Sequence, residues 1–331
     1  MSVDKAKISG LALGLVVLLA MPWLMETFGS SSSLSLASRI LVYSIAAASL
    51  NLVLGYGGMI SLGHAAFFGM GGYAVGILYA HNGGDPFLGL IPGSNHLLVT
   101  LPAAMLLGGA VAALIGALSL RTSGVQFIMI TLAFAQMLFF FFVSLKAYGG
   151  EDGIIIRRPN EFFGLNLRDR TTVWYVVLGF WLIFMLTLWR VIGSSFGAVL
   201  KGMKQNERRM AAMGLAPYRY KLYAFILSGM GAGLAGALMA NLMRFTSPDM
   251  LHWTKSATLM TMVILGGVGT FFGPLLGAAA YLVLETWLGG MTEYWQFWLG
   301  LILLAVVLGT KGGLVALIAA IWSRLTGRAR G

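Results

Sequence analysis

Run after run of about twenty residues in this sequence is almost free of charge. Such runs occupy 8–25, 36–55, 58–80, 97–120, 124–145, 172–192, 220–241, 256–268, 271–289 and 294–310. A helix needs roughly 20 apolar residues to cross a hydrocarbon core of about 30 Å. A chain with this many runs has too little polar surface to face water, since only 10% of its 331 residues are charged against about 25% in a soluble domain. The expected fold is therefore all-α, one membrane-embedded bundle over 1–331. Two runs depart from a plain crossing. The segment 256–268 is short and ends in Gly266, Gly267 and Gly269, and 58–80 is interrupted by Gly63, Gly69, Gly71, Gly72 and Gly76. Membranes tolerate broken helices only where protein or a cavity covers the backbone, so both are expected to be short, broken or re-entrant. The 45 glycines suit such breaks and close helix packing.

The net charge of +11 invites a nucleic-acid reading, but no basic stripe interleaved with exposed aromatics is present. Distribution matters more than the sum. With the N-terminus inside, ten crossings place most of the 22 basic residues on the cytoplasmic side, as the positive-inside rule requires. They include Lys5, Lys7, Arg121, Arg190, Lys311, Arg324, Arg328 and Arg330. Both termini are thus predicted to be cytoplasmic. The run Ile8–Met25 is longer than a signal-peptide core and is taken as the first crossing. Trp174, Trp181, Trp189, Trp287, Trp295 and Trp298 are expected in an interfacial aromatic belt, and Phe139–Phe142 as lipid-facing or packing bulk.

Two connections stand out. The longest outer one, 146–170, mixes charges of both signs. The cytoplasmic loop 193–221 carries Lys201, Lys204, Arg208, Arg209, Arg219 and Lys221 against the single acid Glu207. A helix is predicted over about 198–213, with Gly214 as its C-terminal cap and Pro217 barring continuation. A basic helix resting on anionic headgroups and a docking helix for a cytoplasmic partner both fit.

Several chemistries lack their residues. Ion-coupled carriers usually hold ionisable groups within the bilayer, yet Glu285 is the one carboxylate inside a predicted span, near its end. A phosphate-cradling G-x-x-x-x-G-K-[ST] loop is ruled out because no Gly-Lys dipeptide occurs. His64, His81, His96 and His252 have no metal-ligand spacing, and there is no cysteine. Neither a cofactor nor a metal is expected, and any driving force must come from another subunit.

The segment Asn51–Tyr73, N-L-V-L-G-Y-G-G-M-I-S-L-G-H-A-A-F-F-G-M-G-G-Y, resembles the signature of branched-chain amino acid ABC transporter permeases, the LivH/LivM family. Its Ser61–Gly69 form is more similar to the LivM type. Lys201–Leu222 is similar to that family's coupling loop, and Leu265–Gly277, L-G-G-V-G-T-F-F-G-P-L-L-G, to its late glycine motif. The resemblance covers about 37–313. It implies roughly eight to ten helices in a bacterial inner membrane and a second, LivH-like permease subunit. It further implies two cytoplasmic ATPase subunits that bind the ATP and a periplasmic solute-binding protein. One departure is that Glu207 is separated from Ala211-Ala212, and Gly214 follows sooner than in the general importer pattern E-A-A-x-x-x-G.

On this reading, solute released at the outer loops 81–96 and 146–170 passes broken segments whose backbone dipoles can hold a zwitterion without fixed charge. The candidate pathway residues are Gly55, Gly57, Gly58, Ser61, Gly63 and His64, then Gly266, Gly267, Gly269 and Thr270. Close helix packing is the alternative use of these glycines. Candidate ATPase-coupling residues are Lys201, Lys204, Asn206, Glu207, Arg208, Arg209, Ala211, Ala212 and Gly214. A passive channel and an ion-coupled carrier for urea, amides or amino acids are the rival classes, and a membrane-embedded enzyme lacks an acid–base pair.

Overall fold

The computed structural model describes residues 14, 16–23, 31–82, 84, 93–158, 160–163, 167–309 and 312–325. Most of the predicted first crossing, parts of the 81–96 and 146–170 connections, and Lys5, Lys7, Lys311, Arg328 and Arg330 lie outside them. Helix α1 is described over 16–23. The following helices are α2 (Ser31–Asn51), α3 (His64–Ala80), α4 (Leu97–Ser119), α5 (Val125–Ser144), α6 (Arg170–Gly193), α7 (Ser195–Gln205) and α8 (Glu207–Ala212). The chain continues through α9 (Pro217–Met243), α10 (Trp253–Gly266), α11 (Gly273–Met291), α12 (Trp295–Gly309) and α13 (Gly313–Leu325).

Among the described residues, five helices are long and apolar enough to span a bilayer: Ser33–Tyr56, which runs through a π turn, Leu97–Ser119, Val125–Ser144, Arg170–Gly193 and Pro217–Met243. Helices α3, α10 and α12 are shorter, at 17, 14 and 15 residues. The chain is thus an all-α, polytopic membrane bundle with short and broken members. Lipid contact is written on its surface. Leu106, Leu114, Met129, Met137, Phe140, Ile183 and Leu186 are exposed on α4, α5 and α6, a density of apolar surface that a soluble monomer does not carry.

The core lies along α2, α3 and α9. Every residue of α9 from Gly231 to Ala240 is buried, because α3 and α4 press on it through small residues. A Cβ on Gly71 would lie 2.7 Å from the Gly233 Cα, and one on Gly236 would lie 2.7 Å from the Phe68 carbonyl carbon. Without a hydrophobic drive between helices in lipid, such backbone-to-backbone approach supplies the packing energy. Gly236→Ala is therefore expected to destabilise the fold by about 1–3 kcal/mol through overpacking, read as a lower thermal midpoint in detergent. A higher midpoint, as the helix propensity of alanine alone would give, would contradict this.

At one end of the bundle β1 (Ile154–Ile155) pairs antiparallel with β2 (Phe245–Thr246), tying the 146–170 connection to the α9–α10 connection. The opposite end carries α7 and α8. The tryptophan expectation needs correction. Trp189, Trp287 and Trp298 are exposed, but Trp174 and Trp181 are buried. Their ring N–H groups donate to the Leu18 carbonyl at 3.2 Å and to Ser44 Oγ at 2.5 Å. A buried indole needs such an acceptor, and α1 and α2 provide it. In the phenylalanine run, Phe140 and Phe141 face outward, while Phe142 packs on Tyr73 with ring centroids 4.1 Å apart.

The single helix predicted over 198–213 is two helices. Asn206 is extended (φ −158°, ψ 100°) and its side chain accepts from the Arg209 N–H at 3.0 Å. Asparagine competes with the helical backbone in this way, so it ends α7 and caps α8. Gly214 closes α8 at φ +84°, with the Leu215 N–H on the Met210 carbonyl and the Gly214 N–H on the Ala211 carbonyl, a Schellman ending. Pro217 then opens α9.

Candidate functional site

Helix α2 does not end as an ordinary helix. Leu52–Tyr56 is a π turn, with the Gly57 N–H reaching back to the Leu52 carbonyl at 3.1 Å. Such turns are rare and tend to occur at functional sites. Beyond it Gly58 takes φ +70°, and residues 57–63 run without helix until α3 begins at His64. Alongside, α10 stops at Gly266, and residues 267–272 form an irregular turn before α11.

The two glycine segments, some 200 residues apart in the chain, meet here. Asn51, the last residue of α2, donates from Nδ2 to the Thr270 carbonyl at 2.9 Å and accepts the Gly269 N–H on Oδ1 at 2.9 Å. Gly55 lies so close that a Cβ there would be 2.6 Å from the Gly269 nitrogen and 2.8 Å from its Cα. Thr270 Oγ1 closes the turn on the Gly267 carbonyl at 2.7 Å. One amide side chain thus satisfies two backbone groups of the 267–272 turn that a membrane would otherwise leave without partners.

Ser61, Gly63 and His64 anchor the start of α3. The Leu62 N–H points to Thr131 Oγ1 at 3.3 Å and the Gly63 N–H to Ser61 Oγ at 3.2 Å. His64 Nε2 is 2.7 Å from Ser228 Oγ, which itself donates to the Ser49 carbonyl at 2.5 Å. Because the serine hydrogen is committed, Nε2 carries the imidazole proton. The ring stands edge-on to Phe67 and Phe225. From Pro217 to Ser228 the rise along α9 is ~16 Å, so α3 starts far inside the bundle. Its Ala65 N–H is taken by Ser256 Oγ at 2.7 Å. Protein groups therefore occupy polar positions at this helix start that a zwitterion would need. Ser61 and His64 are fully buried, whereas Gly58, Ile60, Val268 and Phe272 form the exposed parts of the two breaks.

Helix α7 touches this junction directly. Leu200 and Met203 are buried, and Lys204 Nζ donates to the Gly55 carbonyl at 2.7 Å. A Cβ on Gly58 would meet Lys204 Cγ at 2.9 Å. Lys201 Nζ stands 5.5 Å from the centre of the Tyr56 ring, a weak cation–π contact. Lys201, Lys204, Asn206, Glu207, Arg208, Arg209, Ala211, Ala212 and Gly214 all fall on exposed positions. Glu207 pairs with Lys221, which fixes α8 against the first turn of α9.

Sequence reasoning missed Asn51, Ser49, Thr131, Ser228 and Ser256. Asn51 had a signal, since an amide at the end of an apolar run must find partners. The hydroxyl residues gave none, because Ser and Thr commonly bond to their own helix.

The family model described as branched-chain amino acid transport system / permease component matches residues 32–307. The chain belongs to this family. Over its whole length it is 27% identical to the high-affinity branched-chain amino acid transport system permease protein LivM of Salmonella typhimurium, covering 80% of that protein. The Escherichia coli LivM is 27% identical over 91% of this chain and 73% of its own length. The L-arabinose ABC transporter permease protein AraH of Azospirillum brasilense is 26% identical over 57% of this chain and 56% of its own. No solved structure matches the chain. Both glycine segments, α7 and α8 lie within the matched residues, so the junction belongs to the permease component itself.

Proposed function

We propose that this chain is the LivM-type membrane subunit of an ATP-driven importer for branched-chain amino acids or similar small solutes. It would work with a LivH-like second permease subunit, two cytoplasmic ATPase subunits and an exported solute-binding protein. The α7–α8 end faces the cytoplasm in this reading, with both termini on that side, and the β1–β2 end receives the binding protein. The observation that carries it is the Lys204–Gly55 contact. It joins the exposed basic helix to the broken span, so a movement of α7 must move the α2 π turn. Gly55, Gly57, Gly58 and the 266–270 segment are the candidate gate, and Ser61 and His64 serve as its fixed post. ATP closure of the ATPase pair is the source of that movement, since the chain has no phosphate-binding loop of its own.

Arg208 and Arg209 stand exposed on α8, where a partner would meet them. Reversing both (Arg208→Glu with Arg209→Glu) is expected to reduce co-purification of the ATPase subunits by about tenfold. The fold should survive, as judged by an unchanged thermal midpoint. Uptake into liposomes should require ATP and a loaded binding protein. Nucleotide-independent flux through the purified chain, or full uptake after deletion of 198–213, would overturn the assignment in favour of a passive channel.

A further inference from the structure

We propose that α13 lies in the bilayer surface at the α7 end of the bundle, bound to anionic lipid headgroups, and that it ties the 267–272 turn to that surface. The tie is a contact of glycine with glycine. A Cβ on Gly267 would lie 2.6 Å from the Gly312 oxygen. One on Gly313, the first residue of α13, would lie 2.7 Å from the Gly267 nitrogen and 2.8 Å from the Leu265 oxygen. Gly267 and Gly313 both hold positive φ, +124° and +69°, which other residues adopt only at a cost. The turn is therefore held at two places, by Asn51 at Gly269 and Thr270 and by the start of α13 at Gly267.

Beyond that contact α13 leaves the bundle. Gly313 is buried and Leu314 and Val315 are half-buried, but Ala316, Leu317 and Ile318 are exposed. Its 13 residues give a helix ~20 Å long, too short for a hydrocarbon core of about 30 Å. The sequence has two faces. Leu314, Leu317, Ile318, Ile321 and Leu325 recur at i, i+3, i+4, i+7 and i+11, while Gly313, Ala316, Ala320 and Arg324 fall between them. A helix with one bulky apolar face and one small or cationic face lies in the plane of a membrane interface. Charge names the lipid. After Glu293 the chain has no acid, yet it has Lys311, Arg324, Arg328 and Arg330. Each cation near an anionic leaflet strengthens binding by about fivefold. Phosphate headgroups match that excess, with the bulky face among the acyl chains below them. Neither solute nor ATP enters this tie, so its failure is separate from failure of the importer reading. Only the description of the turn as a gate rests on that reading.

The test uses the full complex in nanodiscs, with partner subunits freed of cysteine. The chain has no cysteine of its own, so Ile318→Cys or Val268→Cys carries one spin label, each at an exposed position. Accessibility to oxygen and to a water-soluble nickel chelate gives the depth of the label at 318. In discs containing phosphatidylglycerol the ratio of oxygen to chelate accessibility is expected to exceed that in phosphatidylcholine discs on the order of fivefold. Arg324→Gln with Arg328→Gln and Arg330→Gln should abolish that difference, and the label at 268 should then gain a mobile component. The matching Lys variant, which keeps the charge, should behave as wild type. A label at 318 reached by the chelate in phosphatidylglycerol discs would place α13 in water, and one shielded from both reagents would place it against a partner subunit. Either result overturns the proposal, as does a depth indifferent to phosphatidylglycerol. A label at 268 that the Gln variant leaves unchanged overturns the tie to the turn.

Discussion

If the proposed function holds, a complex carrying Lys204→Met is expected to assemble with the ATPase subunits, which still hydrolyse ATP, yet import solute roughly 5- to 30-fold more slowly. Methionine keeps an apolar stem against Gly58 but removes the ammonium that donates to the Gly55 carbonyl. A hydrogen bond from a charged group contributes about 1.5–3 kcal/mol. Partial exposure lowers this to about 1–2 kcal/mol, which converts to the stated factor. ATPase activity and uptake must be measured on the same liposomes. Parallel loss of both would mean that docking had failed, and undiminished uptake would remove Lys204 from the coupling route.

The second large effect is at Asn51. Replacing it by leucine keeps the volume but leaves the Gly269 N–H and the Thr270 carbonyl without the amide that satisfies them. Unsatisfied buried groups of this kind cost about 1–3 kcal/mol each, so Asn51→Leu should lose roughly 2–6 kcal/mol. The 267–272 turn should also separate from the π turn. The thermal midpoint in detergent and the distance between spin labels at the exposed positions of Ile60 and Phe272 measure the two consequences. Wild-type stability together with an unchanged label distance would show that the glycine segments hold together without the clamp.

The difference between these residues shows what could be seen before the fold was known. Long crossings such as α4, α5 and α6 begin and end within two residues of their expected limits, because each needs about twenty apolar residues and little else. The breaks near 57–63 and 267–272 were legible in part, since glycine clusters announced them, but Gly69, Gly71, Gly72 and Gly76 do not interrupt a helix: they lie within the continuous α3, where they allow close contact. The mutual contact of the two breaks was not legible. It depends on one asparagine side chain reaching across more than 200 residues of sequence, and nothing local encodes that distance. Asn206 was misjudged for a related reason. It falls inside the single helix expected over 198–213, although asparagine followed by Glu207 also makes a cap and first turn. Ser61 and His64 stand out as polar residues inside a span, but the side chains that hold this helix start from elsewhere, Thr131 on α5, Ser228 on α9 and Ser256 on α10, look like ordinary packing residues. Helix α13 (Gly313–Leu325) lies beyond the last expected crossing and was not foreseen.

Position 58 is constrained twice. Its positive φ disfavours any L side chain, and the space such a side chain would fill is taken by the methylene stem of Lys204. A bare backbone and a long flexible cation are thus two halves of one joint. A bulkier residue at 58 would have to evict that stem, parting α7 from the π turn of α2.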